Sequence, residues 1–190
     1  MSPAGRPTAT TPERWVQGAL DEIERAGVGA LAVESVARRL GVSKGGFYHH
    51  FKDRRSLLRA ALELWQERFV IELARRFEAI GDPRERLTAL LVHAAVELEP
   101  TVILRLMAAS EDPDVAAALQ RAADGRLALL RGAFRELGLG PEAAANRAIL
   151  FYSAYLGLAE LRSHAPSALP DEARVRSYLQ EIEAVVLRDL

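Results

Sequence analysis

The apolar residues of this 190-residue chain recur at steps of three and four, which is the spacing that places them on one face of an α-helix. No alternating run rich in β-branched residues, the pattern typical of a strand, interrupts them. Glycine and proline divide the pattern into segments. The sequence therefore predicts an all-α fold of about nine helices.

The predicted helices form a small head and a larger body. Residues 1–10, rich in proline and threonine, are expected to be a mobile tail. Three short helices follow in a head at residues 11–58, and a long helix from Asp53 to about Ile80 leads into a body at residues 59–190. The remaining helices are predicted at residues 84–99, 101–110, 114–137, 141–164 and 171–188.

The charge of the chain is unevenly distributed. The net charge is only −1, but residues 1–59 carry ten Lys/Arg against six Asp/Glu. A basic head on an acidic body suits a protein whose head meets a polyanion. Cysteine is absent, which excludes disulfides and thiolate metal sites. The chain shows neither a secretory signal nor an apolar run long enough to span a membrane, so we expect a cytoplasmic protein.

Residues 33–58 contain the pattern of two short helices joined by a tight turn. Ala37 is small where two helices cross, and Gly41 suits a left-handed turn conformation. Val42 can fill the space between the helices, and Ser43 can cap the next helix. The sequence therefore predicts a helix-turn-helix unit, whose second helix would enter the major groove of DNA.

The second helix of this unit separates an inner from an outer face. Phe47 and Phe51 lie four residues apart and are predicted to face inward. Gly45 and Gly46 allow the backbone to approach DNA closely, although each lowers helix propensity. The residues left for phosphates and base edges are Lys44, Tyr48, His49 and Lys52.

Residues 12–64 resemble the head of the tetracycline-repressor (TetR) family. The resemblance is carried by Val36-Ala37, Gly41-Val42-Ser43, Tyr48-x-His50-Phe51 and Leu57-Leu58. It implies a homodimeric regulator, usually a repressor, that leaves a palindromic operator when a small ligand binds. It also implies that Tyr48 and Lys52 bind phosphates and that Lys44, Gly45, Gly46 and His49 lie nearest the bases, with Arg39 able to reach the DNA backbone.

The sequence departs from the family pattern at two positions. Ala32 stands where a hydroxyl residue commonly caps the second helix, and Arg54 stands where lysine is common. The first departure weakens one expected phosphate contact, whereas the second keeps the charge.

Enzymes form the main alternative class. The sequence lacks a glycine-rich phosphate loop, a serine nucleophile motif and a His-Glu-x-x-His pair. The best candidate is His93 with Glu97, one turn apart, which could ligate a metal or exchange protons. An interaction module without DNA binding is a third interpretation, but it leaves the lysine-flanked glycine helix unexplained. We expect no enzyme activity, no cofactor and no bound metal.

The body is predicted to enclose a ligand cavity and to form the dimer. Its aromatic and apolar content favours a mainly apolar ligand. The candidate lining residues are Trp65, Phe69, His93, Glu97, Leu104, Met107, Phe134 and Tyr155. The helix at residues 141–164 is apolar on more than one side, so with the last helix it is expected to build a two-fold interface. The candidate interface residues are Leu150, Ala154, Gly157, Leu158, Leu161, Leu179 and Ile182, although both helices could instead complete the core of a monomer.

Overall fold

A computed structural model describes residues 10–93 and 101–188 of the chain. These residues form α-helices, three short 3₁₀ segments and one π-helical segment, and they contain no strand. The all-α prediction is confirmed. The helices are α1 (Pro12–Ala26), α2 (Val33–Leu40), α3 (Arg54–Gln66), α4 (Leu73–Glu78), α5 (Pro83–Val92), α6 (Thr101–Met107), α7 (Pro113–Glu136), α8 (Pro141–His164) and α9 (Glu172–Val186).

Two of the predicted helices differ in detail. Residues Lys44–His49 form a 3₁₀ segment instead of an α-helix, which fits a six-residue stretch with two glycines in its first turn. The predicted long helix is divided into α3, the π segment Glu67–Glu72 and α4. The other predicted boundaries within the described residues are close to the observed ones, and the helix end predicted at residue 99 lies outside these residues.

The head is built around α1. Trp15 of α1 and Phe47 of the 3₁₀ segment are fully buried, with their rings edge to face at 5.4 Å. Thr10, which the sequence assigned to a mobile tail, is buried as well. Its carbonyl accepts a hydrogen bond from Nε2 of His50 at 2.6 Å, so Thr10 is part of the folded head, and the rest of the predicted tail lies outside the described residues.

The long connection from head to body begins with a strong cap. The carboxylate of Asp53 accepts the backbone N–H of Ser56 at 2.7 Å, and the Ser56 hydroxyl oxygen accepts the backbone N–H of Asp53 at 3.2 Å. In the first two turns of α3, Arg55 and Arg59 pair with Asp114 of α7 at 2.5 and 3.0 Å. These ion pairs join the start of α3 to the start of α7.

Two hydrophobic clusters divide the molecule at the π segment. The first contains the head core, Trp65, Phe69, α6 and the first half of α7. The second contains Leu73 and Phe77 with α5, the end of α7, α8 and α9. None of the helices in the described ranges is sufficiently long and apolar to cross a membrane.

Candidate nucleic-acid interface and ligand cavity

The turn between α2 and the 3₁₀ segment has the predicted geometry. Gly41 is left-handed at φ 68°, and the backbone N–H of Val42 donates to the carbonyl of Ala37 at 3.0 Å. Val42 packs partly buried against the head core. Ser43 occupies the cap position, but its side chain makes no capping hydrogen bond, so that expectation is wrong.

The 3₁₀ segment buries one side and exposes the other, as predicted. Phe47 is fully buried and stacks on Phe51 at 5.5 Å. Tyr48 lies edge-on to Phe47, but 59% of its surface is exposed, which leaves its hydroxyl free to reach outward. The other predicted DNA contacts also lie at the surface: Lys44, Gly45, His49, Lys52 and Arg39 are exposed, and Gly46 is half-buried.

Two of the predicted cations already have acidic partners. Lys44 pairs with Glu34, and this hydrogen bond raises the pKa of Lys44. Arg39 pairs with Glu22 at 3.3 Å. Glu34 is itself exposed, so a DNA phosphate could replace it beside Lys44 at small cost. Glu22 is almost completely buried and holds Arg39 against the head.

The structure shows the surroundings of both departures from the family pattern. At Ala32 no side chain caps α2, and the Ser35 hydroxyl instead accepts the backbone N–H of Ala32 at 3.3 Å and donates to its carbonyl at 2.8 Å. Arg54 donates to the carbonyls of Leu31 and Val28 at 2.6 and 2.7 Å. Its guanidinium therefore fixes the loop before α2.

Three of the predicted ligand-lining residues meet at one cavity, here called the inner cavity, of about 210 Å³. Trp65 and Phe69 stack at 5.0 Å, and Phe69 lies 6.1 Å from Tyr155. Leu20 of α1 also lines it, so the head forms one wall, which the sequence did not predict. The lining residues are Gln17, Leu20, Glu24, Trp65, Arg68, Phe69, Val102, Ile103 and Tyr155.

The other predicted lining residues lie elsewhere. Met107 lines a neighbouring cavity of about 390 Å³, here called the outer cavity, together with Ile103, Leu119, Tyr152 and Leu156. Leu104 borders a surface pocket beside Arg162, and His93 borders a groove beside Phe77. Phe134 is fully buried in the second cluster and lines none of these cavities. Glu97 lies outside the described residues.

A comparison with known protein families supports the helix-turn-helix unit of the head. The sequence model of the bacterial regulatory proteins, tetR family, matches residues 16–68, which include the whole turn and the 3₁₀ segment. The head of this chain is of the tetR-family type.

The curated relatives match this chain over stretches of different length. The HTH-type transcriptional regulator BetI of Proteus mirabilis is 30% identical over 81 residues, 42% of this chain and 40% of BetI. This chain thus spans less than half of that relative. An HTH-type transcriptional regulator of Mycobacterium tuberculosis is 28% identical over 160 residues, 80% of this chain and 70% of that protein.

A solved structure of a transcriptional regulator from Rhodococcus sp. Rha1 extends the likeness to the body. It superposes with a TM-score of 0.78 over 94% of this chain and 97% of that chain, at 24% sequence identity. The two proteins share a fold through head and body. TetR-family regulators are non-enzymatic transcription factors, so the tetR-family match over residues 16–68 supports the expectation that this chain is not an enzyme.

The predicted dimer surface requires correction. Leu158, Leu179 and Ile182 are buried within one protomer, where they belong to the second cluster, so they cannot form its free apolar face. The error is one of helix phase, because α8 is apolar almost all round. Of the other predicted residues, Leu150 and Gly157 are exposed and Ala154 and Leu161 half-buried; further exposed apolar side chains are Ile149 and Val185.

Arg126 is a buried residue of the body that was not predicted from the sequence. Its side chain is buried, and within the described residues Nε and Nη2 have no hydrogen-bond partner. A signal existed, because Arg126 occupies the buried seam of α7 between Ala122 and Leu130, where the helical repeat calls for an apolar residue. By contrast, no group of three or more His, Asp or Glu that could hold a metal occurs in the described ranges.

Proposed function

We propose that this regulator binds a palindromic operator as a homodimer and represses transcription until a small, mainly apolar ligand releases it. The observation that carries the DNA-binding part is the 3₁₀ segment with the bend that follows it, since buried Phe47 holds the segment while Tyr48 and Lys52 are exposed to solvent. Since its partner is chromosomal DNA, we place the protein in the cytoplasm.

The DNA contacts are tested by replacing exposed side chains that contribute little to the core. Tyr48→Ala combined with Lys52→Ala should weaken binding to all sequences, because both residues are assigned to phosphates. The slope of log affinity against log salt should fall by about 2, because the dimer loses one lysine contact in each half-site. Fluorescence anisotropy with DNA fragments selected from the source genome measures both quantities.

Arg38→Ala is the matched control for these contacts, since Arg38 is an exposed cation of α2 outside the proposed interface. It should leave the affinity nearly unchanged. Equal affinities for the double variant and the wild type would exclude this interface.

The proposed dimer uses the exposed apolar side chains of α8 and α9. Leu150 and Ile149 of α8 are 44% and 54% exposed, and Val185 of α9 is 42% exposed. Two such surfaces related by a two-fold axis form a four-helix interface, which also sets the recognition segments about 34 Å apart for successive major grooves. Leu150→Glu should therefore convert the dimer to a 20.8 kDa monomer in analytical ultracentrifugation.

Val92→Glu is the matched control for the dimer, because Val92 is an equally exposed aliphatic residue on α5. It should remain dimeric. A wild-type protein that sediments as a monomer at micromolar concentration would contradict the proposal.

The release mechanism depends on the inner cavity, whose walls come from both head and body. A ligand that separates Trp65 from Leu20 would tilt the head on α3 and change the spacing of the two heads. Such coupling is typically worth about 1–3 kcal/mol, or roughly 5- to 150-fold in operator affinity. Trp65→Ala should reduce ligand-induced release, whereas Leu104→Ala, at a separate surface pocket, should not.

A further inference from the structure

Arg126 lies between the inner cavity and the outer cavity. Its guanidinium carbon is 4.1 Å from the ring centroid of Phe69, which lines the inner cavity. Tyr155 lines both the inner cavity and the small space around Arg126, and Tyr152 lines both that space and the outer cavity. A single aromatic ring therefore separates the buried cation from each cavity.

Among the described residues, none of those around Arg126 carries a negative charge that compensates it. The side chains around it are apolar or aromatic: Leu90, Leu129, Leu130, Phe151, Tyr152 and Tyr155. Burial raises the pKa of Tyr155 to about 12, so its hydroxyl is neutral at pH 7 and supplies no negative charge. Burial also lowers the pKa of Arg126 to about 10, which leaves the guanidinium charged at neutral pH.

Burying a cation without a neighbouring carboxylate lowers the stability of the folded state. Contact with the face of Phe69 recovers part of that cost but satisfies none of the N–H donors. An anion beside Arg126 would satisfy both the charge and the two unpaired nitrogens, and the planar fork of arginine suits a carboxylate in particular.

We propose that Arg126 is the anion-binding residue of the effector site, and that the effector is an amphipathic acid with a single negative group on an apolar body. This inference rests on the proposed ligand-released function. The apolar body lies against Trp65 and Ile103 in the inner cavity, and the acid group reaches Arg126 once the Phe69 or Tyr155 ring turns aside.

Phe69 links the proposed anion site to the head. Phe69 belongs to the π segment, a rare helix geometry that is frequent at functional sites. Its ring contacts Arg126 and stacks on Trp65, one turn closer to the head. An acid that replaces Phe69 as the partner of Arg126 thereby changes the packing of α3, the helix that carries the head.

The test compares two probes that differ by one sulfonate group. 8-Anilinonaphthalene-1-sulfonate is an apolar bicyclic anion, and N-phenyl-1-naphthylamine is its neutral counterpart. Fluorescence titration of the DNA-free protein should show tighter binding of the sulfonate. Arg126→Met should reduce that preference by about tenfold or more, the usual scale of a charge-assisted hydrogen bond. Arg126→Lys should retain part of it.

Arg131→Met is the matched control, because Arg131 is an exposed arginine on the same helix. It should keep the wild-type preference. If Arg126→Met prefers the sulfonate as strongly as wild type does, the anion site is excluded, whatever the DNA assays show. If the preference is lost but neither the probes nor a library of amphipathic acids releases DNA, the anion site stands and the ligand-released function fails.

Discussion

Arg86 and Arg126 are both arginines of the body that are only 8% exposed, but the regions around them differ. At the end of the body, Arg86 donates twice to the carbonyl of Ile80 and pairs with Glu136 at 3.1 Å. In the middle of the body, Nε and Nη2 of Arg126 have no partner among the described residues. This helical bundle can satisfy a buried arginine, so the unsatisfied one points to a role other than stability.

In the head, the buried polar residues have hydrogen-bond partners, as Arg86 does. Its buried carboxylate, Glu22, accepts hydrogen bonds from Arg25 at 2.6 Å and Arg39 at 3.3 Å. Thr10, the fourth buried polar residue of the described chain, has its carbonyl bonded to His50. Arg126 is thus the exception among four, and it lies beside the cavities.

The largest expected effect comes from replacing Arg86, the buried arginine that has hydrogen-bond partners. Arg86→Met should lower the free energy of unfolding by about 2–3 kcal/mol, because it leaves the Ile80 carbonyl without its donors and removes a buried charge pair. Glu136 is half-exposed and can return to water, which limits the loss. Urea unfolding followed by circular dichroism measures it.

The unsatisfied arginine should behave in the opposite way. Arg126→Met should raise the free energy of unfolding by about 1 kcal/mol, because the desolvation cost of the guanidinium disappears and only the contact with Phe69 is lost. The same urea experiment gives the result. A loss of stability like that of Arg86→Met would show that Arg126 is structural, and the contrast between the two regions would fail.

Gly125, the neighbour of Arg126 in α7, lies in close contact with the π segment. A Cβ at this position would lie 2.6 Å from Cγ1 of Val70, a stiff β-branched residue of the π segment. Gly125→Ala should therefore lower stability by about 1 kcal/mol, even though alanine favours helix.

Gly132 provides the control on the same helix, since a Cβ there meets nothing within 4 Å. Gly132→Ala should raise stability by about 0.5–1 kcal/mol. If both alanine variants are equally stable, α7 and the π segment are not in close contact.

The smallest effect is expected in the head and depends on pH. The hydrogen bond from Arg25 holds the pKa of Glu22 below its ordinary value of 4.5. The charged carboxylate therefore stabilises the folded head above pH 4.5, and this contribution is lost as the pH falls through the lowered pKa. Glu22→Gln should cost about 1 kcal/mol or less at pH 7, since both arginines are partly exposed.

Thermal unfolding of the wild type and Glu22→Gln between pH 3 and pH 7 checks this dependence. The two unfolding temperatures should converge at the acid end. A constant gap across the range would mean that Glu22 contributes through packing alone.

The sequence predicted the head better than the body for a physical reason. Phe47 and Tyr48 are assigned correctly because a local pattern decides which of two neighbours faces a core built from residues close in the chain. The phase of α8 is not decided locally, so Leu158 was placed on the dimer surface although it packs inside the protomer. Likewise, the π segment depends on Gly125, which lies more than 50 residues away from it, and the isolation of Arg126 depends on side chains from several helices.

The π segment also marks the boundary between two packing units of the molecule. Its hydrogen bonds span one more residue than those of an α-helix, so this turn can hold an extra residue without ending the helix. Trp65 and Phe69 belong to the first cluster, together with the head core and the apolar side chains of the inner cavity, whereas Leu73 and Phe77 belong to the second. The side chains of the second cluster can therefore be exchanged while those that surround Trp65 and Phe69 stay the same.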